Sequence, residues 1–368
     1  MNLTPLIKEI KILCEQRKKQ TPTHSASISF YVKMDPIWWT NALGFSYREL
    51  VKAEDMRLAA AFQLKCKHYK MTRFDDDEPQ YLSLATIPTY IPVITPFGVP
   101  YEHDFQSGGY HVPPVVKNEH DLQRLKPPLF TQKDMANADR KKREMEQEVG
   151  GLIPVTASYP REIGWFGPFS LACGLCGMNN MLEWMITDPA LVHHVMRFIT
   201  ESTLGYYRQK AAATGKDAKN LSFSFAEDEV SDTLFSSAQY REFILPYHRE
   251  LAETATSVYF HSCANINNFI EDIVTLPNLA RLHFSPSTGL AKIDLVPKDI
   301  VIEAHLDPVR DIEQADDRTL ADKVRDIIRR CRGHKLDLRI SSIMSCSPEN
   351  LEERNKLIQK MLNLNGGV

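Results

Sequence analysis

No apolar run in the chain reaches the roughly eighteen residues that a membrane-crossing helix needs, so no membrane span is expected. The first residues, MNLTPLIKEIKILCEQRKK, lack the apolar core of a signal peptide. They mix acids with bases, unlike a transit peptide, and a cytoplasmic setting is expected. There is no basic tract interleaved with aromatics, and the formal net charge of −3 offers no field for nucleic acid or anionic lipid. Seven cysteines are an odd number, scattered without framework spacing, which favours reduced thiols over a disulfide scaffold. No internal repeat and no Gly-rich phosphate loop is found.

What is present is a change of rhythm. Residues 1–70 read as largely helical, with LVKAEDMRLAAAFQLKCKHY (50–69) free of Gly and Pro. Residues 79–130 turn to Pro, Gly and aromatics, the composition of loops and short strands. A charged helix over 137–151 ends in two glycines. From about residue 150 apolar runs alternate with helical patterns. EIGWFGPFS (162–170), LSFSFAEDE (221–229), SVYFHSC (257–263), ARLHFSPS (280–287), IVIEAHLDP (300–308) and LDLRISSIMSC (336–346) read as strands. Ser236–Ser257, NINNFIEDIV and DRTLADKVRDIIRRC read as the helices between them. At the last helix Ser347 is placed to cap, Pro348 takes the first helical position and Glu349 suits the dipole.

Strand–helix alternation implies a parallel sheet. Several strands end in polar or ligating residues: Glu227, His261, Ser285, His305 and Cys346. Chemistry at the C-terminal ends of strands suits a (β/α)8 TIM barrel. The expectation is one TIM-barrel domain over 1–368, with a less regular helical and loop extension over 1–150 and the regular barrel over 150–365.

His261, Cys263 and Cys346 fall at strand ends on one rim of such a barrel. One imidazole and two thiolates form a zinc ligand set with a place left open for chemistry. Buried thiols and a satisfied core histidine would give the same letters. Glu227, followed by Asp228 and Glu229, is the candidate for a fourth ligand displaced by substrate; a loop acid capping the next helix is the alternative. Cys173 and Cys176 form a CxxC with no second pair, which points to packing rather than to a structural zinc site. His283 alternates with apolar neighbours as a core residue would, and His193-His194 reads as surface. Trp38, Trp39, Phe97, Tyr101, Phe105 and Tyr110 concentrate in the irregular first third, where loops over a rigid barrel hold substrate. Of these Trp38, Trp39, Phe97 and Tyr101, with His305 beside Asp307 at a strand end, are the candidates for substrate binding.

The block EDEVSDTLFSSAQYREFILPYHREL…VYFHSCANI, with Cys346-Ser-Pro-Glu-Asn350 later, resembles the uroporphyrinogen decarboxylase superfamily over about residues 150–365. It is most similar to the cobamide-dependent methyltransferase branch. The resemblance implies a TIM barrel and zinc held by His261, Cys263 and Cys346. It also implies a partner corrinoid protein carrying cobalamin. The Met-Arg-Gln-Ala-Gly-Arg-type signature of the true decarboxylases is not found. The expected reaction moves a methyl group from a methoxylated aromatic compound to cob(I)alamin. A methylcobalamin:thiol transfer of the coenzyme M type is the alternative, with Arg161 and Arg241 as conceivable sulfonate clamps. A metal-free decarboxylase and a closed structural zinc site are the further alternatives. Oligomeric state is open, a homodimer included.

Overall fold

In the computed structural model, residues 2–19, 27–52, 54–86, 97–159, 166–215 and 221–365 are described. The strands in chain order are β1 (Ile28–Met34), β2 (Leu84–Ala85), β3 (Glu102–His103), β4 (Tyr110–His111), β5 (Val155–Thr156), β6 (Leu221–Ala226), β7 (Ala255–His261), β8 (Leu279–Phe284), β9 (Val301–Leu306) and β10 (Leu336–Ile343). All but β3 and β4 run parallel and belong to a TIM barrel. β1, β10, β9, β8, β7 and β6 form one continuous sheet in that order, and β2 pairs with β5. A bridge from Phe166 to Ala226 extends the sheet beyond β6. β3 and β4 form a small antiparallel hairpin.

Period two sorts each long strand into two faces. Phe30 and Val32, Val258 and Phe260, Leu282 and Phe284, Ile302 and Ala304, and Leu338 and Ile340 are all buried in one large core with the helices. Each such aliphatic or aromatic side chain is worth roughly 1.5–3 kcal/mol of burial. The alternate residues are polar: Tyr31, Lys33, Tyr259, His261, Arg281, His283, Glu303, His305, Asp337 and Arg339. Tyr259 on β7 reaches Glu303 on β9 across β8, a contact that needs a concave face. The barrel interior is therefore a polar chamber rather than an apolar plug.

Among the described residues no ladder joins β1 to β2. The open edge of β1 is satisfied instead by the acidic run after the helix Met56–Arg73. The N–H of Phe30 donates to Asp77 at 2.7 Å, that of Val32 to Asp76 at 3.1 Å, and Phe30 carbonyl accepts from the Asp77 N–H. Between β1 and β2 lies a cavity of about 680 Å³ lined in part by Lys33, Trp39, Arg281 and Arg339.

Four sequence expectations change here. The helical reading of 1–70 missed β1, although four helices fill most of the rest. The proposed strand 162–170 is instead a helix from Pro168 to Cys176 preceded by the single bridge at Phe166; residues 160–165 lie outside the described part. Pro at the first helical position favours that start, since its missing N–H is an orphan there anyway. The helix expected over Ser236–Ser257 is two, Ser237–Phe243 and Leu245–Glu253. The break falls at Ile244, just before Pro246, whose ring cannot continue the hydrogen-bond ladder. Cys263 and Cys346 lie just past the ends of β7 and β10 rather than on them. Ser347 does cap the last helix, accepting from the N–H of Asn350 at 3.2 Å.

Candidate metal centre

Three consecutive acids leave β6, and each takes a separate partner. Glu227 is fully buried. Its carboxylate accepts from the N–H groups of Phe169 and Ser170 at 3.0 and 2.7 Å, the first turn of the helix Pro168–Cys176, and lies 2.6 Å from His248 Nε2. Glu227 was the expected fourth ligand, but these contacts turn it away from the thiols and into the wall. Glu229 accepts from the hydroxyl of Ser170, and burial raises its pKa. Asp228, between them, faces the strand ends: Oδ1 accepts from the N–H of Cys263 at 2.8 Å and stands 3.7 Å from Nε2 of His261.

His261 closes β7. Its Nε2 is 3.4 Å from the Sγ of Cys263, and its Nδ1 is 3.0 Å from the hydroxyl of Tyr259. That hydroxyl donates to Oε1 of Glu303. A phenol has one proton to give, so it accepts from Nδ1–H of His261. The lone pair of His261 is thereby left on Nε2, facing Cys263 and Asp228. Burial holds His261 below the usual imidazole range, against the pull of Asp228. Burial drives Glu303 upward, but hydrogen bonds from His305 and Tyr259 and the charge of Arg339 outweigh it, and the carboxylate stays well below the usual range.

One ligand atom each from Asp228, His261 and Cys263 all lie within 4.8 Å of one another, and so do atoms of His261, His283 and Glu303. Nitrogen, sulfur and oxygen donors with a fixed imidazole tautomer suit a zinc-like cation. The surroundings of Cys263 say the same: burial first, then Asp228, push its thiol up to about 12. A thiol and a carboxylate packed together without a cation hold a proton that a cation would displace.

Cys346 is the third expected ligand. Its carbonyl accepts from the indole Nε1–H of Trp38 at 2.6 Å, and its Sγ approaches the Ser347 carbonyl at 3.6 Å. Its thiol is buried, pushed up to about 11, and stands outside the Asp228–His261–Cys263 cluster.

Sequence reasoning left His283 as core, and it is fully buried. Its ring stacks on that of His261 with centroids 4.1 Å apart and packs 4.0 Å from His305, yet neither of its nitrogens has a hydrogen-bond partner. The signal available was register: His261, His283 and His305 stand near the ends of three neighbouring parallel strands. His305 itself points to Glu303, with Nε2 2.9 Å from Oε1.

The aromatic candidates separate. Trp38 and Trp39 sit on the helix Pro36–Leu43, packed edge to face on each other and on Tyr69, and Trp39 reaches the 680 Å³ cavity. Phe97 is buried against Phe198. Tyr101 packs on His103 of β3. Tyr110, on the same hairpin, lies near the acids: burial raises its pKa, and Glu229 and Asp228 add to the effect. Phe105 packs against Tyr47. Cys173 and Cys176 are buried in one helix with thiols raised by burial, the state of packed cysteines. Arg241 is paired with Asp272 on the surface and His194 with Glu119, while His193 contacts Tyr247. Arg161 lies outside the described residues. Among those residues no helix is long and apolar enough to cross a membrane.

Comparison with known proteins adds three findings. A methylated-thiol–coenzyme M methyltransferase of Methanosarcina mazei is 28% identical over 128 residues, 34% of this chain and 32% of that protein. The chain thus spans about a third of the length of that curated relative. A solved structure described as a methyltransferase from Methanosarcina mazei superposes with a TM-score of 0.61 at 13% identity, covering 95% of this chain and 97% of the other. At that identity the likeness is one of fold. The family profile for uroporphyrinogen decarboxylase (URO-D) matches residues 84–358, from β2 through most of the last helix. With so much of the barrel matched, the chain belongs to the uroporphyrinogen decarboxylase family.

Proposed function

We propose that the protein is a zinc-holding methyltransferase that moves a methyl group between a small molecule and the corrinoid of a partner protein. The observation that carries the reading is the Asp228–His261–Cys263 cluster at the C-terminal rim of the barrel, with the His261 lone pair turned into it by Tyr259 and Glu303. His261 and Cys263 hold the ion, Asp228 stands as the oxygen donor, and Cys346 joins through a local shift of the turn after β10. When bound, zinc supplies Lewis acidity to an ether oxygen or a thiol sulfur.

The chain's own residues do the rest. Tyr259 and Glu303 keep His261 in one tautomer, and Asp228 sets Cys263 through its backbone N–H. The β3–β4 hairpin brings Tyr110 toward Asp228 and Glu229, where an aromatic wall over the rim excludes water. The corrinoid partner docks on that same rim, because the methyl group and the cobalt must come within bonding reach.

For the small molecule, a methoxylated aromatic is the first reading, in keeping with the aromatic residues near the rim. A thiol acceptor or methylated thiol is the second, supported by the name of the Methanosarcina mazei relative. One assay separates them: protein with reduced corrinoid partner and a methoxyphenol, following loss of the cob(I)alamin absorbance, beside a methylcobalamin and thiol arm. Loss of the absorbance with the methoxyarene supports the first reading. Demethylation of methylcobalamin by the thiol alone supports the second. No methyl transfer in either arm overturns both.

A further inference from the structure

The charges in the barrel chamber do not cancel. Arg281 pairs with Glu303 at 3.1 Å and with Asp337, and Arg339 with Glu303 at 2.7 Å and Asp337 at 3.7 Å. On the opposite wall of the 680 Å³ cavity, Lys70 pairs with Asp76 at 2.8 Å and Glu78 at 2.6 Å, and Lys67 with Glu78 at 3.3 Å. Two cations thus meet two carboxylates on each wall. Lys33 is the surplus. It lines the same cavity, and among the described residues no carboxylate lies within ion-pair distance of it.

Its position has a simple cause. Lys33 follows Tyr31 on the inward face of β1, and Tyr31 is in register with Arg339 of β10. The guanidinium of Arg339 lies over the Tyr31 ring, 5.2 Å from its centroid, which holds it beside β1. Arg339 also keeps a buried Nε–H without a hydrogen-bond partner. Packing against the chamber wall, and then the charge of Arg339, lower the pKa of Lys33. Placing an ammonium next to a guanidinium is unfavourable unless an anion comes between them.

We infer that Lys33 and Arg339 form a binding site for the anionic head group, a carboxylate or sulfonate, of the small molecule that the metal centre acts on. The inference rests on the reading of that centre as a small-molecule methyltransferase site. Arg339 joins the two regions physically: it grips Glu303, and Glu303 accepts from the Tyr259 hydroxyl that orients His261. A ligand with its anion at Lys33 therefore lies in the same polar chamber as the metal ligands. This assigns the anion-holding role to two strands of the barrel. Arg241, whose fork is already taken by Asp272, does not supply it.

The test is calorimetric binding and involves no turnover, so it stands apart from the methyl-transfer assay. The probes are 3-methoxybenzoate against 3-methoxybenzyl alcohol, and 2-mercaptoethanesulfonate against 2-mercaptoethanol, each titrated into the full chain. At least one anion should bind about tenfold or more tightly than its neutral counterpart. The pair that shows the preference identifies carboxylate or sulfonate as the natural head group. Lys33→Met should abolish the preference, and Lys33→Arg should restore most of it, with melting temperature confirming that both variants fold. Equal affinity for charged and neutral probes, no binding of either anion at millimolar concentration, or a preference that survives in Lys33→Met would each overturn the assignment.

Discussion

The hydroxyl of Tyr259 stands 3.0 Å from Nδ1 of His261 while donating its own proton to Glu303. An ordinary strand tyrosine, two residues before the histidine and on the same face, therefore decides which imidazole nitrogen is free for a metal. Replacing Tyr259 with Phe should lower zinc affinity roughly 10- to 100-fold, the usual effect of losing an outer-shell partner. The fold should survive, since the ring remains. Competition with a chelator of known affinity measures it. An unchanged affinity would show that other contacts of His261 hold the tautomer.

Glu227 and Asp228 are adjacent and should respond in opposite ways. Glu227→Ala strands two helix N–H groups and a buried histidine, and should cost about 3–5 kcal/mol of stability. Asp228→Ala should cost about 1 kcal/mol or less, being more exposed, yet should weaken metal binding. Urea denaturation beside metal titration reads both. Equal destabilisation by the two would contradict the division of roles.

Gly167 tests the same wall from the other side. A Cβ there would fall 2.2 Å from Cδ and Oε1 of Glu227, a fully buried group with nowhere to retreat. Gly167→Ala should destabilise by about 1–3 kcal/mol or more. A neutral result by thermal denaturation would mean that Glu227 moves more freely than its four contacts suggest.

Metal binding should depend on pH with a definite sign. Cys263 is pushed up to about 12 and Cys346 up to about 11, so both thiols are protonated at neutral pH. Each thiol that becomes a ligand must release its proton, so affinity rises as pH rises. His261, held low by burial, is neutral in the window from pH 7 to 8 and releases none. The logarithm of zinc affinity should climb by about one per pH unit for each thiol ligated. A slope of two brings Cys346 into the set; a slope of one leaves Cys263 as its only thiol.

These tests lie at different depths of legibility. The C-terminal half was readable because its strands bury one face: Ile302, Ala304 and Leu306 against Glu303 and His305 give a period of two bounded by good helices. β1 was harder. Ile28, Phe30, Val32 and Met34 alternate with Ser29, Tyr31 and Lys33, but seven residues among four helices were absorbed into the helical reading. His261 and Cys263 were legible as a pair. Which acid would join them was not, because strand periodicity ends at Ala226 and the turn alone decides that Asp228 faces the rim and Glu227 the wall. His283 carried no local mark; its place beside His261 follows from the register of β7 with β8. The three Asp residues 75–77 were equally silent, since their task is to satisfy the backbone of a strand more than forty residues away.

The account turns on a metal held at the rim by His261 and Cys263. The most direct measurement is the zinc content of anaerobically purified protein, wild type beside Cys263→Ala and His261→Ala, with circular dichroism to confirm folding. The prediction is about one zinc per chain in the wild type, largely lost in both folded variants. A folded wild type without zinc, or variants that keep it in full, would contradict the site.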